Sequence, residues 1–346
     1  MRAISLFSIQ RAKHQTTDIR EPVTRKRNPA GPPVARARAR ARARRGLLPA
    51  ASLRNKEMSA AHSDDEVLAV IEAAARAAGA LIVASSGRIA VEATKATVQD
   101  LVTRADKDAQ DLIERAVRAA FPSAAFLGEE SVGAGSVASA AALARALEPC
   151  SELLFIVDPI DGTANFVHGV PFSCVSIGVA RRNELAVAAI FEPYRGEMFT
   201  ATRGRGALLN GATRLAVSPA PDFRSAMLAY GLGSSPRVAA VMLRAIGAVQ
   251  EGSRGQRSLG SAALQLAYVA AGRFEAFWEC DLSAWDVAAG ALLVAEAGGR
   301  VGDTRGLPFS LRTRDIVASN GAPDVHDSLL ACIKAAGADS ASAGAT

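Results

Sequence analysis

The feature that most constrains this chain is a continuous apolar run, Leu153-Leu154-Phe155-Ile156-Val157, followed at once by Asp158-Pro159-Ile160-Asp161-Gly162-Thr163. Such a run, without polar alternation, predicts a strand buried on both faces, and therefore a sheet with helices packed over it. The hexapeptide that ends it carries chemistry. Pro159 has a fixed φ and keeps Asp158 extended. Gly162 lets the backbone approach a ligand closely, and Thr163 can open a helix whose free N–H groups face an anion. Asp158 and Asp161 bring two hard oxygen donors to a sheet edge, which suits Mg²⁺ beside a phosphate. Two such ions about 3.5–4 Å apart would activate a water and neutralise a leaving oxygen. These residue types are also common in turns. The metal reading draws its weight from further acids at predicted element ends: Glu129 and Glu130 after a strand at 125–127, and Asp106 and Asp286 at helix starts.

The rest of the chain supports an α/β architecture of mixed sheets covered by helices. Ser63 and Glu66 form a capping-box pattern. Apolar residues then recur at helical spacing to Gly87, and a second helix is expected over 106–120. Residues 136–147 read as an Ala-rich helix or a loosely ordered insert. Strands are expected at 173–180, 184–192, 226–230 and 274–278, a hairpin turn at Asn210-Gly211, and helices at 237–249, 261–271 and 287–297. No run of about 18 apolar residues suggests a membrane span. The four cysteines (Cys150, Cys174, Cys280 and Cys332) are scattered and do not cluster with histidine, so reduced thiols are expected rather than a zinc site or disulfides.

The formal net charge of +6 is unevenly distributed. Fifteen of the 40 basic residues but only three of the 34 acidic ones lie in residues 1–57. The remainder is acidic, so the overall charge says nothing about what the folded body binds. Residues 1–57 include the Ala/Arg alternation from Ala35 to Arg45 and read as a disordered leader. It has the composition of a transit peptide, of a nucleic-acid-binding arm, or of an upstream extension with translation from Met58. A folded body over 58–336 and a flexible tail over 337–346 complete the expected organisation.

Over roughly 65–332 the chain resembles the inositol monophosphatase family. The resemblance is carried by Leu101-Val102-Thr103 with Asp106, by Gly128-Glu129-Glu130-Ser131, and by the stretch from Asp158 to Pro171, DPIDGTANFVHGVP. The stretch from Trp285-Asp286 to Gly298-Gly299 completes it. It implies a layered αβαβα sandwich of the inositol monophosphatase and fructose-bisphosphatase type. It implies that Glu129, Asp158, Asp161 and Asp286, with the carbonyl of Ile160, bind two or three Mg²⁺ ions. Glu129, Thr163, Asp106 and Asp161 would be catalytic, with Asp106 paired to Thr163, and Glu129 and Thr163 orienting the attacking water. Substrate contacts would come from Ile160, Asp161, Gly162, Thr163, Gly260, Ser261, Ala262, Glu279 and Asp286. Of these, Glu279 would meet ring hydroxyls, and Asp286 would protonate or position the leaving oxygen through a water.

The reaction so implied is hydrolysis of myo-inositol monophosphate to myo-inositol and phosphate, by in-line attack of a metal-activated water. That places the chain in inositol metabolism and phosphatidylinositol signalling, with Li⁺ as an inhibitor and a homodimer as the assembly. Asn165-Phe166-Val167-His168-Gly169 and Glu279 favour this branch of the superfamily. Alternatives are a sugar 1-phosphate or histidinol phosphate as substrate, or an RNA or transcription-complex role through the basic leader. No membrane partner is expected. The expected location is cytoplasmic, or a mitochondrion or plastid if the leader is a transit peptide.

Overall fold

The computed structural model describes residues 62–88, 91–94, 101–233, 235–339 and 341–342. The expectations for the leader and for a start at Met58 lie outside the described residues. Helix α1 (Asp64–Ser85) begins as its sequence requires: the Ser63 N–H donates to Glu66 Oε2 at 2.8 Å, and the Glu66 N–H donates to Ser63 Oγ at 3.2 Å. Strands β1 (Val91–Thr94) and β2 (Leu101–Thr103) pair antiparallel and lead into α2 (Arg104–Ala120). Together α1 and α2 cover one face of a seven-stranded sheet. Its strands are β3 (Ala125–Gly128), β4 (Leu154–Asp161), β5 (Cys174–Arg181), β6 (Glu184–Glu192), β7 (Glu197–Thr202), β8 (Gly206–Leu209) and β9 (Thr213–Arg214). They lie in sequence order. The β3–β4 pair is parallel and the others are antiparallel. Helix α3 (Ser136–Leu147) resolves the choice at 136–147 in favour of an ordered helix, and α4 (Thr163–His168) is a short turn after β4.

A five-stranded sheet forms from β10 (Met227–Tyr230), β11 (Gly255–Arg257), β12 (Ala276–Glu279), β13 (Arg300–Asp303) and β14 (Ile316–Ser319), in the order β11-β10-β12-β14-β13. Helix α5 (Pro236–Gly252) and, later in the chain, α8 (Pro323–Ala335) cover its outer face. Helices α6 (Ala262–Ala270) and α7 (Ala284–Glu296) fill the layer between the two sheets. The result is the expected αβαβα sandwich.

Strand β4 is buried at every position, and its residues 154–157 alternate between two apolar layers. Leu154 and Ile156 join the apolar layer shared with α6 and α7, while Phe155 and Val157 join the layer under α1 and α2. Each such large side chain contributes about 1.5–3 kcal/mol on burial. Helix α1 is long and apolar enough to cross a membrane by length and composition alone. Here Val67, Ile71, Ala74, Ala75, Ala78 and Ile82 are buried against the sheet. Part of the segment expected as a tail, 337–339 and 341–342, is among the described residues. Ala338 and Ala341 are buried, and Ser342 donates through both N–H and Oγ to Asp315 at 3.1 and 2.8 Å.

Candidate active site

Two residues three apart on a regular strand point to opposite faces. Asp158 and Asp161 escape this rule because β4 carries a bulge between them. Asp158 pairs with Ser176 and Asp161 with Cys174, so three steps on β4 face two on β5. The extra residue falls in the Pro159-Ile160 stretch, where Pro159 has no N–H to lose from the ladder. Both carboxylates therefore face the middle layer. Ser176, opposite Asp158, confirms the direction by donating to the Trp285 carbonyl of α7 at 3.3 Å. Asp158 Oδ1 also accepts from the Ile160 N–H at 3.0 Å, which pins the carboxylate to its own turn.

Two helix starts in the middle layer meet these carboxylates. Ser261 caps α6, and its hydroxyl donates to Asp161 Oδ2, which also accepts from the Ala263 N–H at 2.8 Å. Helix α7 starts at Ala284, two residues earlier than an opening at Asp286 would require, because Ser283 is its N-cap. The Ser283 N–H donates to Asp286 Oδ2 at 2.7 Å, which fixes the carboxylate on the first turn. Glu129 arrives from the opposite side, on the single 3₁₀ turn Glu129–Ser131 that follows β3.

One carboxylate oxygen from each of Glu129, Asp158 and Asp286 lies within 4.8 Å of the other two. Glu129 and Asp286 of this group line a cavity of about 390 Å³ together with Asp161, Gly260, Ser261, Ala262, Glu279, Trp285 and Arg314. The electrostatics show what such a cluster costs without a cation. Withdrawal from water, with the nearby Glu129 charge adding to it, raises Asp161 to about 6, against hydrogen bonds from Ser261 and Ala263 that act the other way. Asp286 is pushed well above the usual carboxylate range by withdrawal from water and by the charges of Glu129 and Asp161. Glu279, at the end of β12 and buried against Gly231, is pushed up by burial and by Asp286 and Asp161. Hard oxygen donors, convergent and mutually repelling, fit Mg²⁺.

The turn after β4 holds the remaining predicted groups. The Thr163 hydroxyl shares its proton between the Ile160 carbonyl at 3.1 Å and Asp106 Oδ1 at 3.4 Å. The Ile160 carbonyl, read from the sequence as a metal ligand, thus also accepts from Thr163. Asp106 sits on α2, almost fully buried. Gly162 has φ 91°, and a Cβ there would come within 3.0 Å of the carbonyls of Gly260 and Phe172, so glycine is required by both conformation and space. Asn165 Nδ2 donates at 2.7 Å to the carbonyls of Phe172 and Leu259, tying the turn to the Gly260 loop.

Other residues stand apart. His168, Ala164, Arg254 and Arg257 are exposed. Cys280 is buried and its thiol is pushed far up by burial. Three contributors carry no motif and were not expected. Cys174 packs its sulfur 3.8 Å from Asp161 Oδ2. Arg314 donates through Nη2 to Asp281 Oδ1 at 2.8 Å and through Nη1 to Ser139 Oγ at 2.9 Å. Gln110 binds the Glu129 turn.

Nus factor SuhB of Pseudomonas aeruginosa is 41% identical over 254 residues, covering 71% of this chain and 89% of that protein. Inositol monophosphatase 2 of Solanum lycopersicum is 42% identical over 227 residues, covering 64% of this chain and 82% of its own length. The crystal structure of the extragenic suppressor protein suhB from Bartonella henselae superposes with a TM-score of 0.69 at 36% identity, covering 78% of this chain and 98% of that one. The model of the inositol monophosphatase family matches residues 63–337, a span that includes every residue of the acidic cavity, and the chain belongs to that family.

Proposed function

We propose that this chain is a Mg²⁺-dependent phosphatase that hydrolyses myo-inositol monophosphate to myo-inositol and phosphate. The observation that carries this reading is the convergence of Glu129, Asp158 and Asp286 within 4.8 Å of one another, at a cavity that Glu129 and Asp286 line with Asp161 and Glu279. Glu129, Asp158, Asp161, Asp286 and the Ile160 carbonyl would hold two or three Mg²⁺ ions. When bound, Mg²⁺ supplies the positive charge that offsets both the carboxylates and the phosphate.

The chain's own residues supply orientation. The Thr163 hydroxyl spends its proton on Ile160 and Asp106, which leaves its oxygen free to accept from the attacking water and turn that water's lone pair toward phosphorus. Glu129 would accept a hydrogen bond from the second O–H of the same water. The N–H groups of Gly162 and Thr163 precede the first helical bond of α4, from Phe166 N to the Gly162 carbonyl at 3.0 Å, and would donate to phosphate oxygens. Asp286, held by Ser283, would position a water at the leaving oxygen. Glu279 and the Gly260-Ser261-Ala262 wall would receive the polyol, with the carboxyl accepting from ring hydroxyls. A cavity of about 390 Å³ suits a small phosphomonoester.

The test is phosphate release from inositol 1-phosphate with Mg²⁺, alongside histidinol phosphate and a sugar 1-phosphate. The highest kcat/KM is expected for inositol 1-phosphate; the lowest of the three for that substrate would overturn the assignment. The relative named Nus factor supports a second reading, a binding role in a transcription complex. If the basic leader carries it, removing residues 1–57 abolishes a salt-sensitive affinity for RNA and leaves the phosphatase rate unchanged. Equal RNA affinity in both chains would exclude the leader from that role.

A further inference from the structure

We propose that Gln110 is a positioning residue for the metal site, holding the Glu129 turn in place from α2. This rests on the Mg²⁺ reading of the carboxylate cluster. Glu129 is the one cluster residue on neither a sheet strand nor an α-helix. It sits on the 3₁₀ turn Glu129–Ser131, whose N-cap, Gly128, offers no side chain. A turn of three residues has little internal stability.

Gln110 clamps this turn on both sides. Its Oε1 accepts from the Glu130 N–H at 2.8 Å, and its Nε2 donates to Ser131 Oγ at 2.9 Å. The orientation of the carboxamide is fixed by chemistry, since a backbone N–H can only donate and so demands the oxygen. Gln110 is buried. The carboxamide fills the space beside Gly128, where a Cβ would lie 2.3 Å from its Oε1 and 2.5 Å from its Cδ. Gln110 therefore touches the residues on either side of Glu129 and the one beyond.

The spacing on α2 gives the clamp a second consequence. Asp106 and Gln110 are four residues apart and lie on one face. Asp106 reaches the Thr163 hydroxyl in the turn after β4, while Gln110 reaches the turn after β3. One rigid helix thus registers two loops that belong to different strands. Displacing the Gln110 carboxamide releases the Glu129 turn from that register and moves one donor of the metal site. Partners that orient metal ligands are worth roughly 10–100-fold in affinity or activity.

The test is calorimetric titration of the full chain with Mg²⁺ alone, without substrate, combined with circular dichroism melting. Gln110→Leu is expected to weaken Mg²⁺ binding about tenfold. Gln110→Glu keeps the acceptor for Glu130 and lets the Ser131 hydroxyl turn to donate, so Mg²⁺ binding is expected to stay at the parent value or become tighter. If Gln110→Leu does not fold, Gln110→Asn replaces it: it keeps the carboxamide but withdraws it by one methylene, and the same loss is expected. A folded Leu or Asn variant that binds Mg²⁺ as tightly as the parent overturns the proposal, as does a change in melting temperature alone. A parent chain that takes up no Mg²⁺ overturns the metal reading of the site, and this inference with it.

Discussion

At Gly162 the backbone holds φ 91° between the carbonyls of Gly260 and Phe172, and no L side chain fits there at ordinary cost. Gly162→Ala is therefore expected to lose about 1–3 kcal/mol of stability and to lower kcat/KM, as read by thermal melting and phosphate release. Asp158 sets the opposite expectation. It sits within 4.8 Å of the Glu129 and Asp286 carboxylates, and Asp158→Asn keeps the size and an acceptor oxygen for the Ile160 N–H. The fold is expected to persist on thermal melting, with turnover lost. The residues of both predictions were legible in the sequence, because glycine and carboxylate chemistry is read directly from residue type. Arg314, Asp281 and Gln110 were not legible. They belong to no motif, and Arg314 lies 175 positions from Ser139, to which it donates.

Among the elements, β4 shows most clearly what a linear reading misses. An apolar run predicts the buried strand, but period-two alternation places Asp158 and Asp161 on opposite faces. Only the bulge paired against β5 returns both to the middle layer. Helix α3, ambiguous from its Ala-rich sequence, is fastened by Arg314. The guanidinium joins Ser139 of α3 to Asp281, whose Oδ1 accepts at 2.8 Å, just before the Ser283 cap of α7. The Asp281–Arg314 pair is largely shielded, with side chains 9% and 20% exposed. Arg314→Ala leaves Asp281 without this partner and unfastens α3 from the cavity rim. It is expected to lower stability by about 1–3 kcal/mol and to raise KM more than it lowers kcat, by melting and steady-state kinetics.

For the whole molecule, five layers place the reactive groups where two sheets and the middle helices converge; the apolar pattern of the sequence anticipated mixed sheets covered by helices, and the family resemblance supplied the five-layer order. The pH response belongs to this scale too. His326 on α8 is buried against Ser319 of β14, with its Nδ1 2.8 Å from the Ser319 hydroxyl. Burial and the Arg300 charge lower the imidazole to about 4, with Asp327 opposing. The folded chain then binds fewer protons than the unfolded chain between about 6.5 and 4, so stability falls as pH drops through that window. His326→Gln is expected to flatten this part of the stability curve, measured by urea unfolding at several pH values. An unchanged slope would remove His326 from the account.

The most direct test of the central claim is phosphate release from inositol 1-phosphate by the full chain as Mg²⁺ is titrated, repeated with Li⁺ present and with the Asp158→Asn chain. Turnover is expected to require Mg²⁺, to fall with Li⁺ and to vanish in Asp158→Asn while the fold persists. Turnover that survives chelation of divalent cations, or full activity in a folded Asp158→Asn chain, would contradict the assignment of this carboxylate cluster as a metal-dependent phosphatase site.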